Sequence, residues 1–362
     1  MRSGLRKKLD DFYDWLESTH RAVQRKKQVK KQLKGMDKKD INQSEYDAYK
    51  EYWKQFGIKT SKHWVDLYKK EGVAFDNRYV PDDIYYSKIL PYFSNMKFRR
   101  PYEDKCMHYR MFPNLTRPLT IAKSMANVYY DANDNIIDKA KVKELIKAHG
   151  NVIVKPSIDS GAGRLIQFYD KTKDTDVILD KIIETAGGNF ICQEVLSQHA
   201  TMASLNLNTL NTIRVFSFLF KGEVHILSVI CRMGSGDAKV DNVSAGGLQI
   251  AVNLEGRFEG LASDKYRHKH SKHPDTLVEF DSFQVPSFDE IINIVKREQL
   301  KLPHFKIIGW DFAINQEGKP VFIEYNVCPG SNQMTCGPAF GDITDEVMRD
   351  IFIEQSLKGS MN

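Results

Sequence analysis

The stretches Ile307-Ile-Gly-Trp310-Asp311-Phe312-Ala-Ile-Asn315 and Pro320-Val-Phe-Ile-Glu324-Tyr-Asn326 flank a turn around Glu317-Gly318 and read as a β-hairpin. Side chains alternate across a strand, so Glu324 and Asn326 share one face. Asp311 points away from its aromatic neighbours Trp310 and Phe312, and counting back from the turn puts it almost opposite Glu324. Two like charges opposed across strands repel, so the pattern predicts a cation between them. Oxygen-only ligands suit Mg²⁺, which keeps part of its water shell and bridges substrate phosphates. Asp311, Glu324 and Asn326 are therefore the candidate metal ligands.

Working back from the hairpin, Val152-Ile-Val-Lys155-Pro is followed by Ser157-Ile-Asp-Ser160-Gly161-Ala-Gly163. A lysine leaving a buried strand can meet phosphate charge, and a loop of small residues lets backbone N–H groups approach phosphate oxygens. A plain hairpin turn explains the same residues equally well. No GxxxxGK[ST] loop and no GxGxxG opening a helix is present. The kinase order fails too, because Lys155 precedes its glycines and Asp311-Phe312 is followed by Ala313. Ile191-Cys-Gln193-Glu194-Val195-Leu196 ends a strand, and Asn211-Thr-Ile-Arg214 begins another. Beside a metal–phosphate site, Arg214 would clamp charge developing in phosphoryl transfer, whereas alone it reads as a surface arginine. Asp241-Asn242-Val-Ser-Ala-Gly246-Gly247 reads as a polar turn feeding a strand.

The 362 residues predict two or three structural units, and 41% hydrophobic with 11% aromatic residues is enough for a folded core. No apolar run approaches the ~20 residues needed to span a bilayer, and no secretory signal is visible. The five cysteines, without a CxxC pair, fit reduced thiols and a cytoplasmic protein. Residues 1–35 hold eleven Lys and Arg against four acids, a net +7 within a chain of net +6. Leu5, Leu9, Phe12 and Leu16 recur there at helical spacing, so the segment reads as a basic amphipathic helix. Packing of that stripe on the protein body is the favoured expectation, and peripheral contact with an anionic membrane face is the alternative.

Residues 1–100 read as a mostly helical region rich in aromatics such as Trp53, Trp64 and Tyr68. Prolines 91, 101, 113 and 118 mark its end. An α/β texture follows, with helices expected at Lys139–His149, Val177–Ala186 and 287–301, and a hairpin turning at Lys221-Gly222.

Taken in order, these motifs resemble the ATP-grasp superfamily. The spacing of Asp311, Glu324 and Asn326 and the tail Pro329-Gly330-Ser331 resemble the D-alanine–D-alanine ligase branch. Asp104-Lys105, Val154-Lys155-Pro156, Asn211-Thr-Ile-Arg214, the 241–247 turn and His273-Pro274 resemble the sugar-transfer-associated ATP-grasp group of bacterial polysaccharide loci. That likeness covers roughly residues 100–355. It implies an α+β fold of two lobes with ATP between them, 101–196 carrying the phosphate loop and 197–362 the metal hairpin, preceded by the helical 1–100 region.

It also implies roles. Lys105 and Lys155 would bind the ATP phosphates, with Ser160, Gly161 and Gly163 in the closing loop. Gln193, Glu194, Val195 and Leu196 would line the adenine, with Glu194 as the main polar contact. Asp311, Glu324 and Asn326 would hold Mg²⁺, and Arg214 would contact the transferred phosphate. Asp241 and Asn242 would face substrate, as would Gly330 and Ser331 at the acceptor end; Arg232 and Lys239 are weaker candidates. Segment 197–211 departs from the acidic ribose-binding pattern of the superfamily. The implied reaction is ADP-forming amide synthesis, joining an amine or amino acid to a carboxylate-bearing sugar of a surface polysaccharide such as a capsule. The alternatives are a phosphotransferase on the same fold or a non-catalytic adaptor for glycosyltransferases, and no nucleic-acid partner is expected. The cation-crowded loop Lys265–His273 reads as a loop rather than a metal site, and Cys328 as a turn residue rather than a nucleophile.

Overall fold

Leu179, Ile182, Ile183 and Ala186 recur at helical spacing along Asp176–Ala186, and all four are buried. The helix begins where Thr175 Oγ1 accepts from the Ile178 N–H. Its neighbour Lys139–His149 begins at a similar cap, Asp138 Oδ1 accepting from Lys141 N at 2.7 Å. It stops at Gly150, whose φ of +102° is one that L side chains rarely adopt. The computed structural model describes residues 2–34, 41–70, 72–158, 163, 165–236, 238, 240–243 and 246–354, with the side chains of 2–8, 10, 11, 14 and 354 left aside. Ser160, Gly161 and Lys239 lie outside the described residues.

The fold is α+β and divides into two compact units, Met1–Asn95 with Cys328–Asn362, and Met96–Val327. The tail after Val327, expected with the 197–362 region, thus belongs with the N-terminal helices. Gln333 shows why: its buried side chain accepts from Val80 N at 2.7 Å and donates to Val80 O at 2.9 Å, satisfying both backbone groups. This unit contains α1 (Arg2–Leu33), α2 (Gln43–Lys54), α3 (His63–Tyr68) and short helical turns between Asp82 and Phe93. Its core is aromatic, with Tyr49, Trp53, Trp64 and Tyr68 buried and the rings of Tyr68 and Tyr79 stacked at 4.8 Å.

The attachment of α1 corrects an expectation. The helix docks through Ser18 Oγ to Ser87 O (2.6 Å), Arg25 Nε to Asp82 (2.8 Å) and buried Val29. Leu9, Phe12 and Leu16, expected to pack, are exposed instead. The Leu5 side chain lies outside the described residues.

The second unit holds two sheets. One has the order β3-β2-β1-β6-β4-β5, built from β1 (Thr120–Met125), β2 (Val128–Asp131), β3 (Ile136–Ile137), β4 (Asn151–Pro156), β5 (Gln167–Asp170) and β6 (Phe190–Glu194). Helices Lys139–His149 and Asp176–Ala186 share its core through Val142, Ile146, Leu179 and Ile183. Each such side chain, fully buried, contributes roughly 1.5–3 kcal/mol.

The other sheet runs β11-β10-β9-β8-β7-β12-β13, comprising β7 (Thr212–Phe220), β8 (Glu223–Met233), β9 (Leu248–Val252), β10 (Phe258–Ser263), β11 (Lys269–His270), β12 (Ile307–Ile314) and β13 (Pro320–Asn326). The hairpin β7–β8 turns at Lys221 and Gly222, both at positive φ. Trp310, Phe312, Phe322 and Tyr325 face one core with Phe112, and the Trp310 Nε1–H donates to Ser217 Oγ at 2.8 Å. With that face filled by aromatics, Asp311 of β12 and Glu324 and Asn326 of β13 are left to the cleft side.

Candidate active site

Period-two alternation places the polar residues. In the β12–β13 register Asp311 is the partner of Glu324 and Gly309 that of Asn326, with a bulge after Asp311. On the other side of β12, Asp311 is the partner of Arg214 in β7, and Thr212, two residues earlier, is the partner of Arg232 in β8. The expected opposition of two carboxylates is therefore present, but protein cations offset it. Arg214 donates from Nε to Asp311 Oδ1 at 2.6 Å and from Nη2 to Oδ2, a bidentate pair. Arg232 Nη2 lies 3.2 Å from Asp311 Oδ2 and 3.4 Å from Asp241 Oδ2, and bonds Thr212 Oγ1 at 3.0 Å. Thr212 in turn donates to Asp241.

Glu324 is held differently. Lys105 Nζ lies 3.1 Å from its Oε2. Lys105 comes from a helical turn, Lys105–Met107, capped by Asp104, and its own N–H donates to Ser157 O at 3.0 Å. That bond ties the turn to the segment leaving β4, which carries Lys155. Burial alone would raise the Glu324 pKa, but Lys105, Lys155 and Arg214 outweigh it and hold the carboxyl well below its usual range. Lys155 is 8% exposed, and burial, with Lys105 adding, pushes it down to about 8 against the pull of Glu324 and Asp311. Burial raises Asp241, with Arg232 opposing. Arg232 is raised: burial would lower it, but Asp241, Asp311 and Glu324 prevail.

These groups line a cleft of about 580 Å³ within the second unit. Lys105, Lys155, Gly163, Gln193, Glu194, Val195, Leu196, Arg214, Arg232, Asp241, Asn242, Asp311, Glu324 and Asn326 all border it. Gly330 and Ser331 belong to the first unit, where Ser331 Oγ lies 3.3 Å from Asp82 Oδ1. Gly163 has φ +72°, and a Cβ there would stand 3.1 Å from Val240, so this position approaches Val240 closely. Glu194 accepts from the Leu119 N–H at 2.8 Å through Oε1, which engages part of the carboxylate expected to read adenine.

Several lining residues were not expected. Ile153, two before Lys155, and Phe168 of β5 supply an apolar wall, and Leu207 and Leu210 border the same space. The β-period from Lys155 could have pointed to Ile153. Segment 198–211 is organised by side chains whose pairing no local pattern shows: Asn211 Nδ2 donates to Met202 O at 2.8 Å, and Gln198 Nε2 to Thr209 O at 2.8 Å.

Among the described residues no group of three or more His, Cys, Asp or Glu side chains is arranged to hold a metal. The oxygen set of Asp311, Glu324 and Asn326 nonetheless fits a hard divalent cation by the chemistry of its donors, two carboxylates and an amide that border the same cleft.

No curated protein matches the chain. Among solved structures it is similar to the ATP-grasp ligase PsnB complexed with a precursor peptide and AMPPNP, at 13% identity over 69% of this chain and 60% of that one, TM-score 0.37. D-alanyl-alanine synthetase A from Vibrio cholerae matches at 14% over 70% and 66%, TM-score 0.42. VanG D-Ala:D-Ser ligase from Enterococcus faecalis matches at 14% over 70% and 61%, TM-score 0.41. The alignments thus span about 60% of the PsnB chain and not the whole of any of the three. The family model described as sugar-transfer associated ATP-grasp matches residues 98–344, more than half of the sequence. The chain belongs to the sugar-transfer associated ATP-grasp family.

Proposed function

We propose that the protein is an ATP-dependent carboxylate–amine ligase, acting on the cytoplasmic side, that joins an amine or amino acid to a carboxylate-bearing sugar during synthesis of a bacterial surface polysaccharide. The observation that carries this reading is the convergence of four cations, Lys105, Lys155, Arg214 and Arg232, on the carboxylates of one cleft that also has an apolar wall. Such a site can accept a polyanion next to a flat apolar group, which is the composition of a nucleoside triphosphate.

On this reading Lys155 and Lys105 neutralise the phosphates, and the 157–163 segment covers them. Gln193 to Leu196 meet the base, together with Ile153 and Phe168. Asp311, Glu324 and Asn326 would hold Mg²⁺, which supplies charge neutralisation between the phosphates and the incoming carboxylate. A substrate carboxylate oxygen attacks the γ-phosphorus, and the bond to the β–γ bridging oxygen breaks to release ADP. The amine then attacks the acyl carbon, phosphate leaves and the amine gives up a proton. Arg214 offsets the charge shared by the two anions, and Arg232 keeps Asp311 in place for it. Asp241 and Asn242 face the substrate.

The test is to incubate the whole protein with ATP, Mg²⁺ and pools of uronic acids and amino acids, following ADP release and product mass. A product with the summed mass of two substrates less one water supports the ligase. A phosphorylated sugar in its place would assign a phosphotransferase, and ADP release without any modified sugar would reject both.

A further inference from the structure

α1 carries two faces that serve different neighbours. Ser18, Arg25 and Val29, which fasten it to its own unit, fall on one side. With about 100° per residue, Leu9, Phe12, Leu16 and Val23 fall within roughly 60° of each other on the opposite side. They are 51%, 54%, 42% and 45% exposed, and Tyr13 beside them is 67% exposed. The docking contacts leave this row pointing away from the helices that hold α1, so its own unit cannot cover it without releasing Val29 and Arg25.

The same outward row continues towards the C-terminal end of the helix as Lys27, Lys30, Lys31 and Lys34, all exposed. Four further cations, Arg2, Arg6, Lys7 and Lys8, precede Leu9 in sequence. Glu17 falls, by the same rotation, on the flank, where it pairs with Arg21. An apolar row bracketed by cations is complementary to a surface with an apolar interior and an anionic rim. A second copy of the helix fits poorly. Both ends are basic, so parallel and antiparallel pairs alike bring like charges together.

We infer that the outward face of α1 is a docking surface for an anionic lipid bilayer, with Leu9, Phe12, Tyr13, Leu16 and Val23 entering the interface and the lysines meeting lipid phosphates. This inference is independent of the reaction proposed for the cleft. Among the described residues no helix is long and apolar enough to cross a membrane, so the contact is peripheral.

The experiment floats the full-length protein with vesicles of phosphatidylcholine alone or with a quarter of phosphatidylglycerol. Trp15 is 54% exposed whereas Trp53, Trp64 and Trp310 are buried, so a blue shift of emission on binding reports the entry of α1. Flotation with the anionic vesicles, a blue shift and weakening by salt are expected. Combined Leu9→Ser, Phe12→Ser and Leu16→Ser should abolish the shift with no change in melting temperature, because those side chains are exposed. Lys27→Glu with Lys31→Glu should lower partitioning at least about tenfold. Absence of flotation at low salt, binding that survives the triple substitution, a melting temperature lowered by it, or a dimer that it dissolves would each overturn the inference.

Discussion

Arg214 and Asp311 face each other in register on β7 and β12 and are joined by two parallel N–H···O bonds, one of them 2.6 Å long. Asp311 is 1% exposed and also holds Arg232, so one buried carboxylate satisfies two guanidinium groups. Removing it would leave two cations in a confined space. Asp311→Asn is expected to cost about 3–5 kcal/mol, measured as a lower urea midpoint at unchanged slope. Unchanged stability would show that the arginines find other partners.

Glu324 is bound by Lys105 at 3.1 Å and kept ionised by three cations. Glu324→Gln keeps the shape and removes the charge. The folded state and ATP binding should persist while turnover falls at least about a hundredfold. Calorimetry for binding and ADP release for turnover separate the two effects, and a fully active variant would remove Glu324 from the metal set.

Lys155 is 8% exposed and follows Ile153 on the same face of β4. ATP with Mg²⁺ should raise the melting temperature of the wild-type protein, and Lys155→Ala should lose most of that rise. Equal shifts in both proteins would place the phosphates elsewhere.

His108 is buried against Tyr325, ring centroids 4.7 Å apart, and burial, assisted by Lys105, lowers its pKa to about 3 from an ordinary 6.5. Between those values the unfolded chain binds a proton that the native protein refuses. The contribution of His108 to stability is therefore full above pH 6.5 and is lost as pH falls towards 3, by up to about 1.4 kcal/mol per unit. His108→Gln should remove that dependence, so urea midpoints of wild type and variant should converge or cross on acidification. Parallel acid limbs would assign the loss to other groups.

Much of the hairpin was legible because its information is local. A two-residue period and a short turn determine which side chains share a face, so the pairing of Asp311 with Glu324 followed from counting. The cations beside them did not: Arg214 lies 97 residues before Asp311 in the chain, Arg232 is similarly remote, and only the strand order β8-β7-β12-β13 brings them to the hairpin. Strand β1 escaped for a similar reason. Thr-Ile-Ala-Lys-Ser-Met does not read as a core strand, because the buried Lys123 is held by Asp134 and the Tyr109 ring, which lie outside the strand.

The N-terminal helix divides the two kinds of information. Helical spacing by itself determined that Leu5, Leu9, Phe12 and Leu16 form one stripe, and composition that the segment is basic. Which face meets the protein was decided by tertiary contacts alone, through Ser18 on Ser87 and Arg25 on Asp82. A periodic pattern specifies the relative angle of its residues about the helix axis, whereas the direction of the neighbouring mass is a property of chain segments tens of residues away.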